Sequence, residues 1–120
     1  MTLSSADIQS IMRRHNQIRQ GANVTKMAWV HSTANLAAAW GEGCTWSAMH
    51  DRHAFISYTK KTDQVFRFAF ARWGDDSSEE YRRIIEPSNI YVGCAFISCD
   101  VDKANFVCIY RTGPSFPPLT

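Results

Sequence analysis

Apolar positions in the first twenty residues fall at Ile8, Ile11, Met12 and Ile18, with His15 on the same stripe, which is the spacing of one helix face. Ser4 followed by Asp7 has the form of a capping box, and Gly21 is placed as the C′ residue that stops the helix. A loop over Asn23–Thr25 leads to a short strand, Lys26–Val30. Ser32 then caps a second helix over Thr33–Cys44, with Leu36, Trp40 and Cys44 at successive steps of four and alanines that permit close packing. The stretch from Thr45 to His53 is irregular, and His53–Tyr58 reads as a strand. Thr62 or Asp63 caps a third helix to about Trp73, whose apolar face holds Val65, Phe66, Ala69, Phe70 and Trp73. Gly74–Ser78 breaks it, and Glu79–Ile85 forms a short fourth helix ended by Glu86-Pro87.

The period then changes to two. In Asn89–Arg111 both alternating sets, Ile90/Val92/Cys94/Phe96 and Tyr91/Gly93/Ala95/Ile97, are small or apolar, so this strand is covered on both sides. Asp100–Asn105 supplies turn residues, and Phe106, Cys108 and Tyr110 continue as a hairpin partner. Gly113 and three prolines make 113–120 an extended tail. Helices on both faces of a small, mainly antiparallel sheet make the expected class α+β, an α-β-α sandwich in one domain over 1–120.

Three of the four cysteines lie in the hairpin. The odd step from Cys94 to Cys99 puts these two on opposite faces, so one ties the hairpin and the other ties the sheet to a helix on its back. The pairing expected is Cys94–Cys108 with Cys44–Cys99, one of the three connectivities open to four cysteines. Each bridge contributes about 2–4 kcal/mol, a large share for a chain of 120 residues. Four cysteines in so short a chain fit an oxidising compartment, and the absence of any C-x-x-C pair argues against structural zinc.

The first ten residues lack the basic and apolar regions of a signal peptide, and secretion therefore implies a leader removed beforehand. No stretch is long and apolar enough to span a membrane. The sequon Asn23-Val24-Thr25 makes Asn23 a glycosylation candidate, in keeping with an extracellular protein. A net charge of +2 does not argue for nucleic acid, and Arg13-Arg14, Lys60-Lys61 and Arg82-Arg83 read as solvated faces. A histidine on an apolar stripe, such as His15, is first of all a core-edge residue satisfied by backbone.

His15-Asn16 with Arg19, Met27-Ala28-Trp29, the helix Leu36-Ala37…Ala39-Trp40…Cys44, and Val92-Gly93-Cys94-Ala95 with Cys99, Val107-Cys108-Ile109-Tyr110 and Gly113 together resemble the CAP superfamily. That superfamily holds the cysteine-rich secretory proteins, antigen 5 (the venom allergens) and the class 1 plant pathogenesis-related proteins. The resemblance covers nearly the whole chain and implies the same α-β-α sandwich and the same cysteine pairing. It also implies a central cavity lined by two histidines and two glutamates, which bind zinc in many members. Here the H-Y-T-Q motif falls on Glu80-Tyr81-Arg82-Arg83, one glutamate falls on Ala54 and the other on Asp76, and His50 is the one histidine in reach. The remnant cavity set is thus His50, Asp76, Glu80 and Tyr81. One imidazole with two carboxylates is a poor zinc site, and no nucleophile has a partner base.

The expectation is therefore a secreted, non-enzymatic binding domain without cofactor or metal. The resemblance implies two kinds of partner, an extracellular or host protein and a small lipid (a sterol or a fatty acid). Lipid-binding candidates are Trp40, Trp46, Phe55, Tyr58, Phe66 and Phe70, although aromatic stripes at helical spacing are more often core. The rival readings are a zinc-dependent hydrolase using His50, Asp76 and Glu80, and a purely structural interaction module marked by an exposed apolar patch.

Overall fold

The computed structural model of the chain describes residues 3–41, 53–58, 64–98 and 104–112, without the side chains at 40, 41, 53–58, 64–66, 68, 98 and 104. Helix α1 spans Ser5–Gly21. Its capping box is complete: Asp7 N–H donates to Ser4 Oγ at 3.1 Å, and Ser4 N–H donates to the Asp7 carboxylate at 3.0 Å. The stop differs from the expected one. Gly21 is the last helical residue, Ala22 is the cap at φ −96°, and the left-handed residue is Asn23 at φ 63°. Asparagine tolerates that conformation better than other residues bearing a Cβ.

Strand β1 is only Ala28–Trp29, shorter than the expected Lys26–Val30. Met27 is buried, and its N–H donates to Asn16 Oδ1 at 2.8 Å rather than to a strand. Helix α2 covers His31–Gly41 and starts before the expected Ser32 cap, because the Val30 carbonyl accepts from both Thr33 and Ala34 N–H at 3.1 Å. Strand β2 is His53–Tyr58, α3 is Gln64–Trp73, α4 is Glu79–Ile85, β3 is Tyr91–Ser98 and β4 is Ala104–Arg111. Asn105 belongs to β4, opposite Ile97 and buried, rather than to the turn. Ala104 likewise opens β4; residues 100–103 of that turn, the tail at 113–120, and Cys44, Trp46, His50, Lys60, Lys61 and Cys99 lie outside the described residues.

The strands run in the order β1-β3-β4-β2. The β1–β3 pair is parallel; β3–β4 and β2–β4 are antiparallel. Register divides the hairpin into two faces. Val92/Tyr110, Cys94/Cys108 and Phe96/Phe106 are cross-strand pairs on one face, where Ile11 of α1, Phe70 and Trp73 of α3, and Ile84 of α4 join them in one cluster. On the other face Ala95/Val107 and Ile109 pack with Ala37 and Leu36 of α2. Helices thus cover both faces of a small sheet, which is why β3 has no polar face from Val92 to Phe96.

Two features fix the hairpin and the helix packed on it. Cys94 and Cys108 are bonded, with Cα atoms 4.1 Å apart. The Val92 carbonyl faces β1, so by alternation Cys94 also turns its polar backbone away from β4, and the Cys94/Cys108 pair is the closely spaced kind. On the opposite face, a Cβ on Gly93 would overlap the backbone of Thr33 and Ala34. Only glycine lets α2 lie this close to β3.

Candidate functional site

The residues of the H-N-x-x-R stretch converge beneath the sheet. His15 is fully buried on the inner face of α1, one turn after Ile11, whose carbonyl lies 2.9 Å from Nδ1. A carbonyl only accepts, so Nδ1 carries the proton. Nε2 therefore accepts from the Tyr110 hydroxyl, 2.8 Å away on β4. Burial lowers the His15 pKa to about 4, with the Ile11 carbonyl opposing and the Arg19 charge adding to the fall. Burial likewise raises the Tyr110 phenol well above its usual value, and the carboxylate of Glu80 adds to that. The imidazole edge meets Phe70 at 4.9 Å between ring centroids, which completes a closed environment.

One turn further, Arg19 is also fully buried. Nε donates to the Thr25 carbonyl at 2.5 Å, and Nη1 donates to the carbonyls of Ile84 and Glu86 at 2.7 and 3.0 Å. These last two belong to the end of α4, where backbone carbonyls have no helical partner. Burial lowers the Arg19 pKa, and the charges of Glu86 and Tyr110 oppose that shift. Asn16 holds Met27, as above. The stretch thus fastens α1 to the loop behind it, to α4 and to β4. His15 and Arg19 make their bonds inside the fold and present no group to solvent.

A ring nitrogen of His15 and the sulfurs of Cys94 and Cys108 lie within 4.8 Å of one another, a spacing that can hold a metal. Because the sulfurs are joined to each other, no thiolate exists there and Nε2 has a proton donor instead. This donor set does not fit a metal ion.

The remnant cavity residues fall as follows. Asp76 is exposed in the turn after α3. Glu80 is half-buried in the first turn of α4, on the side that senses the Tyr110 hydroxyl. Tyr81 is half-buried, and its N–H donates to Ser78 Oγ at 3.1 Å as the cap of α4. Glu80 lies on the side of the Tyr110 hydroxyl that bonds His15, and among the described residues no hydrogen bond joins either carboxylate, Glu80 or Asp76, to an imidazole. Phe70 is a core residue, with Trp73 and Phe106 rings at 5.3 and 6.1 Å. The side chains of Trp40, Phe55, Tyr58 and Phe66 lie outside the described residues. Asn23 is exposed.

A cavity of about 240 Å³ opens between the start of α1, the first two turns of α2 and the β3 stretch 94–96. Ile8 and Trp29 form walls, and His31, Ala34, Asn35 and Ala38 line it from α2. Those four stand at i, i+3, i+4 and i+7, one helix face. The sequence reading assigned that helix only its sheet-facing stripe. Paired alanines at 34 and 38, beside polar His31 and Asn35, were the signal available for a second face.

Residues 12–110 match the family described as the cysteine-rich secretory protein family, CAP. The chain belongs to that family, the class the sandwich and the buried His15–Arg19 stretch already define. Among solved structures it is similar to a hookworm platelet inhibitor, at 17% identity and a TM-score of 0.79 over 98% of this chain and 74% of that one. It is similar also to MpPR-1i, at 23% identity and a TM-score of 0.67 over 98% and 93% of the two chains. A selenourea-soaked crystal of MpPR-1i gives 24% identity and a TM-score of 0.68. No curated protein matches the chain. No helix among the described residues is long and apolar enough to cross a membrane.

Proposed function

We propose that this chain is a secreted, non-enzymatic CAP domain that acts by binding an extracellular partner, works without a bound metal, and carries a glycan at Asn23. The observation that supports it most is the engagement of His15. Both ring nitrogens are bonded inside the core, and the ring is neutral at physiological pH, so this imidazole cannot serve as a base toward any substrate. CAP members are in general extracellular binding proteins, and Asn23 stands exposed in the turn after α1, where a glycan can be attached.

A second reading, capture of a sterol or fatty acid, rests on the aromatic residues of the middle segment. Phe70 speaks against it, since its ring packs in the core.

The test is native mass spectrometry of protein secreted from a eukaryotic host, before and after offering zinc, cholesterol and a fatty acid, alongside a binding screen against purified extracellular domains. The expected result is a glycan mass removed by Asn23→Gln, no adduct, and a saturable protein partner. A one-to-one zinc adduct lost in His50→Ala would overturn the metal-free reading, and a one-to-one lipid adduct would replace the protein partner by a lipid.

A further inference from the structure

Helix α2 has two working faces. Ala37, with Leu36, packs against Ala95, Val107 and Ile109 and holds the helix to the sheet. The stripe His31, Ala34, Asn35, Ala38 turns instead to the cavity beside α1. His31, Asn35 and Ala38 are exposed around its mouth, whereas Ala34 and the 94–96 stretch beneath are buried. Two alanines keep that wall low; longer side chains there would fill the space.

Three properties limit what fits. The first is size: about 240 Å³ is below the roughly 300–1,000 Å³ of sites that enclose a whole small ligand. It is open to solvent on one side, so a large side chain can seat in it from outside. The second is charge. Among the described residues no Lys, Arg, Asp or Glu lines the cavity, so none of them offers a fixed cation to a fatty-acid carboxylate or a phosphate head group. The third is layout. Apolar side chains at 94–96 beside the outward-turned backbone of Cys94, an indole wall at Trp29 and a rim of uncharged hydrogen-bonding groups have the anatomy of an anchor pocket in a protein–protein interface.

We propose that this cavity is a docking pocket for one large uncharged apolar side chain, aromatic by preference, of an extracellular partner polypeptide. His31 and Asn35 hydrogen-bond the peptide groups on either side of that anchor, and Trp29 meets its ring. The inference rests on the binding reading above and gives it a location.

The experiment uses the intact, isotopically labelled chain titrated with N-acetyl-tryptophanamide and, separately, with dodecanoate, following backbone amides by NMR. Tryptophanamide is expected to shift Ile8, His31, Ala34, Asn35 and Ala38 saturably at millimolar concentration, as suits a fragment binding with about 4 kcal/mol. Ala38→Phe, at an exposed position, is expected to weaken that binding at least about tenfold with an unchanged melting curve. The proposal is overturned by any of three results: no localised shift at saturation of the probe's solubility, equal binding by Ala38→Phe, or dodecanoate moving the same resonances at lower concentration. A chain whose Ala38→Phe variant holds its screened protein partner as tightly as the wild type also overturns the pocket, while the general binding reading stands.

Discussion

The Tyr110 hydroxyl donates to His15 Nε2 across 2.8 Å, joining the last strand to the first helix over 95 positions of sequence. Neither residue reaches solvent. The bond is possible only while the imidazole is neutral and protonated at Nδ1, a tautomer set by the Ile11 carbonyl. A histidine that resembles a catalytic signature is thereby a structural joint, and its chemistry appears in stability.

Acid should loosen this joint. The His15 pKa is about 4 in the folded chain against 6.5 when unfolded, so between these values the unfolded chain binds a proton that the folded chain does not. Stability is therefore full above pH 6.5, falls as pH drops toward 4, and loses about 3 kcal/mol from this group in all. Denaturant titrations at stepped pH check it. In His15→Gln, whose side chain does not titrate, the slope across that window should flatten; an unchanged slope would assign it to other groups.

Tyr110→Phe keeps the ring packed but leaves Nε2 buried without a donor, which should cost about 1–3 kcal/mol. The double variant Tyr110→Phe with His15→Leu removes both polar groups and should lose less than the two single changes added together. Equilibrium unfolding of the four proteins of that cycle measures the coupling, and additive losses would mean the bond contributes little.

Arg19 predicts a larger effect. Arg19→Met removes three charge-assisted bonds and leaves the Thr25, Ile84 and Glu86 carbonyls unpartnered, at a cost of about 3–5 kcal/mol. Arg19→Lys should be nearly as damaging, since an ammonium cannot reach the loop and α4 with a planar fork. Hydrogen exchange should show Val24 and the end of α4 losing protection first, and uniform loss across the fold would count against this local account.

How much of this was legible beforehand differs by element. The double-sided burial of β3 could be read from its unbroken run of small and apolar residues, and the Cys94–Cys108 bond from the period-two register. The capping of α1 was equally local, a matter of Ser4 and Asp7. What failed was chain punctuation that depends on distant contacts. Gly21 looked like the stop, but the turn falls at Asn23 because Val24 N–H is drawn to the Arg19 carbonyl at 2.8 Å. Strand β1 was read too long because Met27 bonds Asn16 instead of continuing a ladder. Arg19 falls on the stripe of Ile11 and His15, but its charge argues for solvent, and only the family signature marked it. The cavity at α2 was missed because alanine is ambiguous. It marks close packing on one face of the helix and an open wall on another.

The Cys94–Cys108 bond closes a loop of 14 residues' separation. Closing a loop of about 15 residues is expected to stabilise by about 3 kcal/mol, chiefly by restricting the unfolded chain. Replacing both cysteines by alanine should lower the denaturant midpoint accordingly without changing the His15 environment, which NMR of the imidazole reports. A loss of under about 1 kcal/mol in unfolding free energy would show that the hairpin is already ordered in the unfolded chain.

Gly93 supplies the strictest test of how the layers fit. A methyl group at this position would overlap the Thr33 and Ala34 backbone, and the obstruction is main chain rather than the mobile end of a side chain. Relief requires α2 to lift away from β3, which opens the packing of Ala37 against Ala95, Val107 and Ile109. Gly93→Ala should therefore cost about 1–3 kcal/mol or more, although alanine ordinarily suits a strand better than glycine. The same lift displaces His31, Ala34, Asn35 and Ala38 relative to the 94–96 floor, so the variant should also bind N-acetyl-tryptophanamide more weakly than the wild type under conditions where both are folded. Loss of stability with undiminished probe binding would separate the helix–sheet contact from the cavity, and a fully stable Gly93→Ala protein would mean that α2 stands farther from the sheet than described here.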